Sequence, residues 1–186
     1  MSWYVLQGRS GQEEKIIHSC RQHLSAEALD SAFLFRCERL WRSEGEWKLT
    51  QKEMFPGYVF LESSRPDLLS IELERYRTIF KVMEEPGYLI SVYQEEEHYL
   101  RRLCGEKHLL KLSYGYKDRE DGISHITEGP LMGLEQRVAR FDWHRRFAQV
   151  EVPLARRKLI VWAGLGIAEQ VLTREKEKPE ALFLVS

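Results

Sequence analysis

Between positions 137 and 158 the chain gathers seven basic side chains, Arg137, Arg140, Arg145, Arg146, Arg156, Arg157 and Lys158, against two acidic ones, Asp142 and Glu151. A guanidinium pairs with phosphate through two parallel N–H donors and stacks on bases, so this cluster suits structured RNA. Trp143 and His144, set between Arg140 and the Arg145-Arg146 pair, add planar surfaces for stacking. Each phosphate contact would release counterions and make binding salt-dependent. Charge runs also occur on plain solvated surfaces, and the residues alone leave both readings open. The field is local: the formal net charge is −1, and the first 112 residues hold 16 basic against 18 acidic side chains. Any nucleic-acid site must therefore be a patch.

Other constellations carry less chemistry. Cys104 and His108 have i, i+4 spacing, but no second pair completes a zinc set. His18 and His23 are five apart, off a common helical face. No GxSxG, P-loop or HExxH pattern occurs, so catalysis, a metal and a cofactor are not expected. Cys20, Cys37 and Cys104 are odd in number and dispersed, with no CxxC, which fits reduced thiols in the cytoplasm. No signal-peptide pattern occurs, and no apolar run approaches the ~18 residues that a membrane span requires.

The elements that must position these residues fall into two groups. Residues 3–6 are an apolar run that reads as a buried strand. Ser10 with Glu13 forms a capping-box pattern, and Ile16, Ile17, Cys20 and Leu24 then share a helical face. Alternation at Phe33, Phe35 and Cys37, a turn at residues 43–46, and alternation at Trp47 and Leu49 predict a hairpin. Pro56-Gly57 leads into a strand from Tyr58, and Pro66-Asp67 opens a helix. A strand over residues 79–83 ends at Pro86-Gly87. The last helix carries Glu95, Glu96 and Glu97 in an exposed first turn, where negative charge suits the dipole. From residue 113 the pattern changes. Residues 113–122 read as a linker, and five short strands follow, over 123–127, 136–141, 147–152, 159–163 and 167–172, as in a small barrel.

The Glu128–Glu135 turn (EGPLMGLE), the strand after it and the alternating strand from Phe147 resemble the KOW motif of NusG-type factors. Trp3-Tyr4-Val5-Leu6 and Phe55-Pro56-Gly57-Tyr58-Val59-Phe60 are similar to the opening strand and most recognisable segment of the same family's other half. The resemblance implies an α+β chain: an N-terminal α/β sandwich (NGN-like) with an antiparallel sheet over 1–112, the 113–122 linker, a five-stranded SH3-like barrel (KOW) over 123–172, and a charged tail over 173–186. The GPLMGLE turn and the basic His144-Arg145-Arg146 turn look most like the specialised LoaP branch. Ala155-Arg156-Arg157 and Leu165-Gly166-Ile167 depart from that branch's pattern.

The family implies a transcription elongation or antitermination factor whose first domain binds the clamp helices of RNA polymerase. Trp3, Tyr4, Phe55, Pro56 and Tyr58 are the matching residues, of types expected at an interface hot spot. The LoaP likeness implies recruitment by a hairpin of nascent RNA through the basic barrel. The alternatives are a housekeeping factor whose barrel holds a ribosomal protein or Rho, and a free RNA-binding protein. A monomer is expected.

Overall fold

The computed structural model describes residues 1–77 and 89–168. The strand expected over 79–83, the Pro86-Gly87 stop, the tail over 173–186 and most of the strand expected over 167–172 lie outside the described residues.

The first unit contains β1 (Ser2–Gln7), α1 (Glu13–His23), β2 (Ser31–Phe33), β3 (Arg36–Ser43), β4 (Glu46–Glu53), β5 (Tyr58–Ser63), α2 (Pro66–Arg75), β6 (Ile90–Ser91), α3 (Gln94–Cys104) and β7 (Leu109–Leu110). Four strands form a sheet in the order β2-β5-β1-β6, with antiparallel pairings. All four residues of the Trp3–Leu6 run are buried because both faces of β1 are covered. Tyr4 and Leu6 face Ile16, Ile17 and Cys20 of α1 and Leu69 and Leu73 of α2. Trp3 and Val5 face Leu100 and Leu103 of α3. A second sheet, β4-β3-β7, carries the predicted hairpin, which turns through Glu44 (φ 53°) and Gly45 (φ 84°). Two successive positive φ angles match the right-handed twist of such strands.

The second unit contains β8 (Ser113–Lys117), β9 (Ser124–Glu128), a 3-10 turn (Glu135–Arg137), β10 (Val138–Asp142), β11 (Phe147–Leu154) and β12 (Arg157–Ile167), ordered β10-β11-β12-β8-β9. Ala148, Val150, Val152 and Leu154 alternate inward and pack with Val161, Ala163 and Leu165.

Three local expectations need correction. The first half of the expected linker is strand β8, which pairs parallel with Leu165–Ile167. Its small residues serve close packing: a Cβ on Gly115 would lie 2.0 Å from the His125 carbonyl oxygen. The strand expected over 159–163 instead continues through residue 167 as one strand, with β8 as its neighbour. The capping box is not formed. Gln12 precedes α1 without a side-chain cap, and the buried Glu13 carboxylate accepts a hydrogen bond from the Gly57 amide (2.6 Å) instead.

Candidate functional site

The aromatic candidates divide at β1. Trp3 is 1 % exposed, and its indole N–H donates to Glu62 (3.2 Å). Its ring lies under the Arg101 guanidinium (4.3 Å) and meets Phe33, Phe35 and His108 edge-on. Tyr4 is on the opposite sheet face, because neighbouring strand residues point to opposite sides. Phe55 is buried, Tyr58 is half-buried beside it (6.4 Å), and Pro56 is exposed. Trp3, Tyr4 and Phe55 are therefore core residues in this conformation, and Pro56 and Tyr58 are the pair that reaches the surface.

Gly57 shapes this segment. Its φ is +84°, and a Cβ there would sit 2.7 Å from the Gly8 carbonyl oxygen. The Gly8 amide donates to Gly57 O (2.7 Å), while Glu13 takes the Gly57 amide. The turn is thus tied to both β1 and α1, and Pro56 is held at its outer tip.

The basic candidates also divide. Arg145 and Arg146 lie in the β10–β11 turn, Arg156 and Arg157 at the β11–β12 turn, at opposite ends of the eight-residue β11. At ~3.3 Å per residue the two tips are about 25 Å apart along the strand. The two basic tips therefore stand at opposite ends of this strand. Arg140 pairs with Asp142 (3.3 Å) and Lys158 with Glu151 (3.4 Å). Trp143 stacks parallel to Phe141 (5.9 Å) and donates to the Ser124 hydroxyl (2.9 Å), beside the exposed His144.

Several of these residues face the first unit. Arg137 lies over Tyr99 (5.7 Å), Arg146 over Trp47 (5.3 Å) and Arg156 over Tyr93 (4.6 Å). Partial burial of Arg146 pulls its pKa below the usual arginine value. Glu96, expected in an exposed helix turn, is buried. Its carboxylate accepts from the Tyr93 amide (3.0 Å) and, across the junction, from the Arg156 amide (2.9 Å). Tyr99 donates to the Glu151 carbonyl (3.4 Å), and burial raises its pKa above the usual phenol value. Gly164 of β12 abuts β3: a Cβ there would be 2.5 Å from Glu38 O and 3.2 Å from the Arg39 Cα. Arg39 lies over Trp162 (5.4 Å). One apolar cluster runs from Trp3, Phe55 and Leu100 into Leu131, Leu134 and Val150 of the barrel. The barrel thus docks on α3 and β3. Sequence reasoning gave Glu96 only a place in an exposed helix turn and Trp47 only a place in a strand, and it passed over Trp162 and Arg39.

His108 lies past the end of α3, at φ 52°, and stacks on Phe33 (3.8 Å). All three cysteines are buried free thiols, and burial pushes the Cys20 pKa to about 12 and that of Cys104 higher still. Asp118, Asp121 and His125 bring donor atoms within 4.8 Å of one another. The two carboxylates already accept from turn amides of Glu120 and Ile123 (2.7 Å each). Among the described residues no helix is long and apolar enough to cross a membrane.

A family model described as "Transcription termination factor nusG" matches residues 1–101. Two relatives named "Transcription termination/antitermination protein NusG", from Haemophilus influenzae and Vibrio parahaemolyticus, are 23 % and 22 % identical over 181 residues. These alignments cover 91 % of this chain and 94 % and 95 % of the relatives. A solved structure described as "Domain interaction in Thermotoga maritima NusG" matches 88 % of this chain and 93 % of its own, at 20 % identity and a TM-score of 0.46.

Proposed function

This chain belongs to the NusG family, and from that premise we propose that it is a transcription elongation or antitermination factor that binds RNA polymerase through its first domain. The observation that carries the reading is the family match over residues 1–101, the unit that holds the Phe55–Tyr58 turn at its surface. Its work is binding, with no reaction assigned to any side chain. Attachment to the clamp helices would favour the closed, elongating enzyme. Pro56 and Tyr58 supply the accessible part of that contact, with Phe55 beneath them.

In the same reading the barrel binds a structured RNA hairpin, as the LoaP-like turn implies, through Trp143, His144, Arg145 and Arg146. These four residues occupy one hairpin tip, whereas Arg156 and Arg157 lie at the far end. A single observation favours the second reading, a housekeeping factor whose barrel holds a ribosomal protein or Rho. Arg137, Arg140, Arg146, Arg156 and Lys158 already have aromatic or carboxylate partners within the chain.

The test is co-purification of the full chain with core RNA polymerase. Tyr58→Ala is expected to weaken the complex by ~1–3 kcal/mol, the size of a hot-spot loss, with an unchanged melting temperature as the folding control. A folded chain that leaves polymerase unbound overturns the proposal. Gel shifts against leader hairpins separate the two barrel readings: Arg145→Ala with Arg146→Ala should lower affinity and flatten the salt slope in the first reading only.

A further inference from the structure

We propose that the outer edge of β4 is an interface for a second copy of this chain, the two β4 strands pairing antiparallel about a two-fold axis at Leu49. The proposal goes beyond the polymerase and RNA readings and does not rest on them. β4 is the edge strand of the sheet β4-β3-β7, and among the described residues no strand pairs with its outer side. Every residue of β4 except the half-buried Thr50 is exposed, Leu49 at 57 %. A long open edge is a template for another strand, and charged side chains are the common guard against such pairing. β4 carries Glu46, Lys48, Lys52 and Glu53. Register decides whether these charges repel a second copy or match it.

Backbone direction sets the first constraint. The Met54 amide donates to Phe35 O (2.8 Å), whereas the Arg36 amide turns the other way, to His108 O (2.9 Å). Bonded and unbonded pairs alternate along an antiparallel ladder. The even-numbered residues of β4 therefore bond to β3, and Trp47, Leu49 and Gln51 direct their N–H and C=O groups to the outer edge. The same alternation aims Glu38 O away from β4, toward Gly164, where a Cβ would lie 2.5 Å from it. The barrel thus approaches the opposite edge of the hairpin and leaves the edge of β4 open.

Two copies can bond only where outward-directed residues meet. An axis at Leu49 pairs Leu49 with the partner's Leu49 and Trp47 with the partner's Gln51. The same register sets Glu46 against the partner's Lys52, twice by symmetry, and Lys48 against the partner's Thr50. Moving the axis to Lys48 sets that lysine against its own copy, and moving it to Thr50 sets Lys48 against Lys52. An axis between two residues brings outward groups against inward ones and forms no ladder. Charge and backbone direction therefore select the same register. Side chains agree with it. Leu40 is the cross-strand partner of Leu49, so the axis builds one row of four leucines across the two hairpins. Lys48 is drawn over the ring of Trp41 in its own hairpin (6.0 Å), away from the edge. The contact is isologous and closes at two copies.

The experiment is sedimentation velocity of the full chain over a concentration series, which should show a monomer–dimer equilibrium. Glu46→Lys alone, or Lys52→Glu alone, places like charges at both ends of the interface and should weaken dimerisation about 10-fold. Mixing the two variants restores opposite charges at both ends and should restore association, as should combining both changes in one chain. Cross-linking tests the axis directly. Cys20, Cys37 and Cys104 are buried, so a cysteine placed on the edge reports its own neighbour. Leu49→Cys should form a disulfide dimer under mild oxidation, because directly opposed residues lie within disulfide reach. Lys48→Cys should not, because it faces the partner's Thr50. Far-UV circular dichroism serves as the folding control for each variant. A monomer at every concentration, a dimer indifferent to the charge reversals, no rescue on mixing, or cross-linking at position 48 equal to that at position 49 would each overturn the proposal.

Discussion

Gly57 is the residue on which the surface turn depends. Its left-handed backbone and its approach to Gly8 exclude any side chain. We predict that Gly57→Ala costs about 2–3 kcal/mol, from backbone strain plus displacement of Gly8, measurable by urea denaturation. His108 sets a second residue-scale expectation. Burial, and then the nearby Arg101 charge, pull its pKa below the ordinary histidine value, because the stacked ring is held neutral against Phe33. The unfolded chain therefore binds the proton more readily. Stability should be full above pH ~6.5 and should fall as the pH drops from there to the lower folded value. His108→Phe should flatten that part of the stability profile, read from melting temperatures between neutral and mildly acidic pH.

At the scale of elements, α2 is fastened to the chain leaving α1 by one carboxylate. Glu72 accepts from the Ser25 hydroxyl and the Ser25 amide, each at 2.7 Å. These bonds, the hydroxyl's foremost, hold the Glu72 pKa below the ordinary carboxylate value. The stabilisation is present above the unfolded pKa of ~4.3 and is lost as the pH falls through the lower folded value. Glu72→Gln should therefore destabilise the protein near neutral pH by about 1–2 kcal/mol, with the gap from wild type closing in acid. Denaturant midpoints at neutral and acidic pH would show it; a gap independent of pH would contradict the assigned cause. The β3–β4 hairpin and the Pro66 helix start were readable locally, since turn chemistry and a fixed proline φ act within a few residues. The α1 start was not, because Glu13 takes a partner 44 positions away in place of a helix cap.

For the molecule as a whole, the decisive contact is between β12 and β3. Gly164 lets the barrel approach the first domain at backbone distance. A branched side chain there has no room, so Gly164→Val should part the domains while each keeps its own core. The expected signature is an increased hydrodynamic radius in small-angle scattering with little change in far-UV circular dichroism. In the proposed function the same variant should bind polymerase more tightly, because Phe55 and Tyr58 belong to the apolar cluster that the barrel completes. Unchanged dimensions would show that the docked arrangement does not depend on this approach.

The amino-acid pattern by itself determined the family, the mixed α/β class, the order of most elements and the local excess of positive charge. Those features rest on short-range physics: alternation along a strand, periodicity around a helix, turn residues at fixed offsets. The three-dimensional arrangement alone decided what that charge confronts. Arg137, Arg146 and Arg156 meet Tyr99, Trp47 and Tyr93, across 38 or more positions of sequence that no periodicity links. It also decided that Trp3 and Phe55 lie inside while Pro56 lies outside, because burial depends on which faces of the sheet are covered. Residues 113–117 look like a linker by composition and become a strand only because the end of β12 offers unpaired backbone groups beside them.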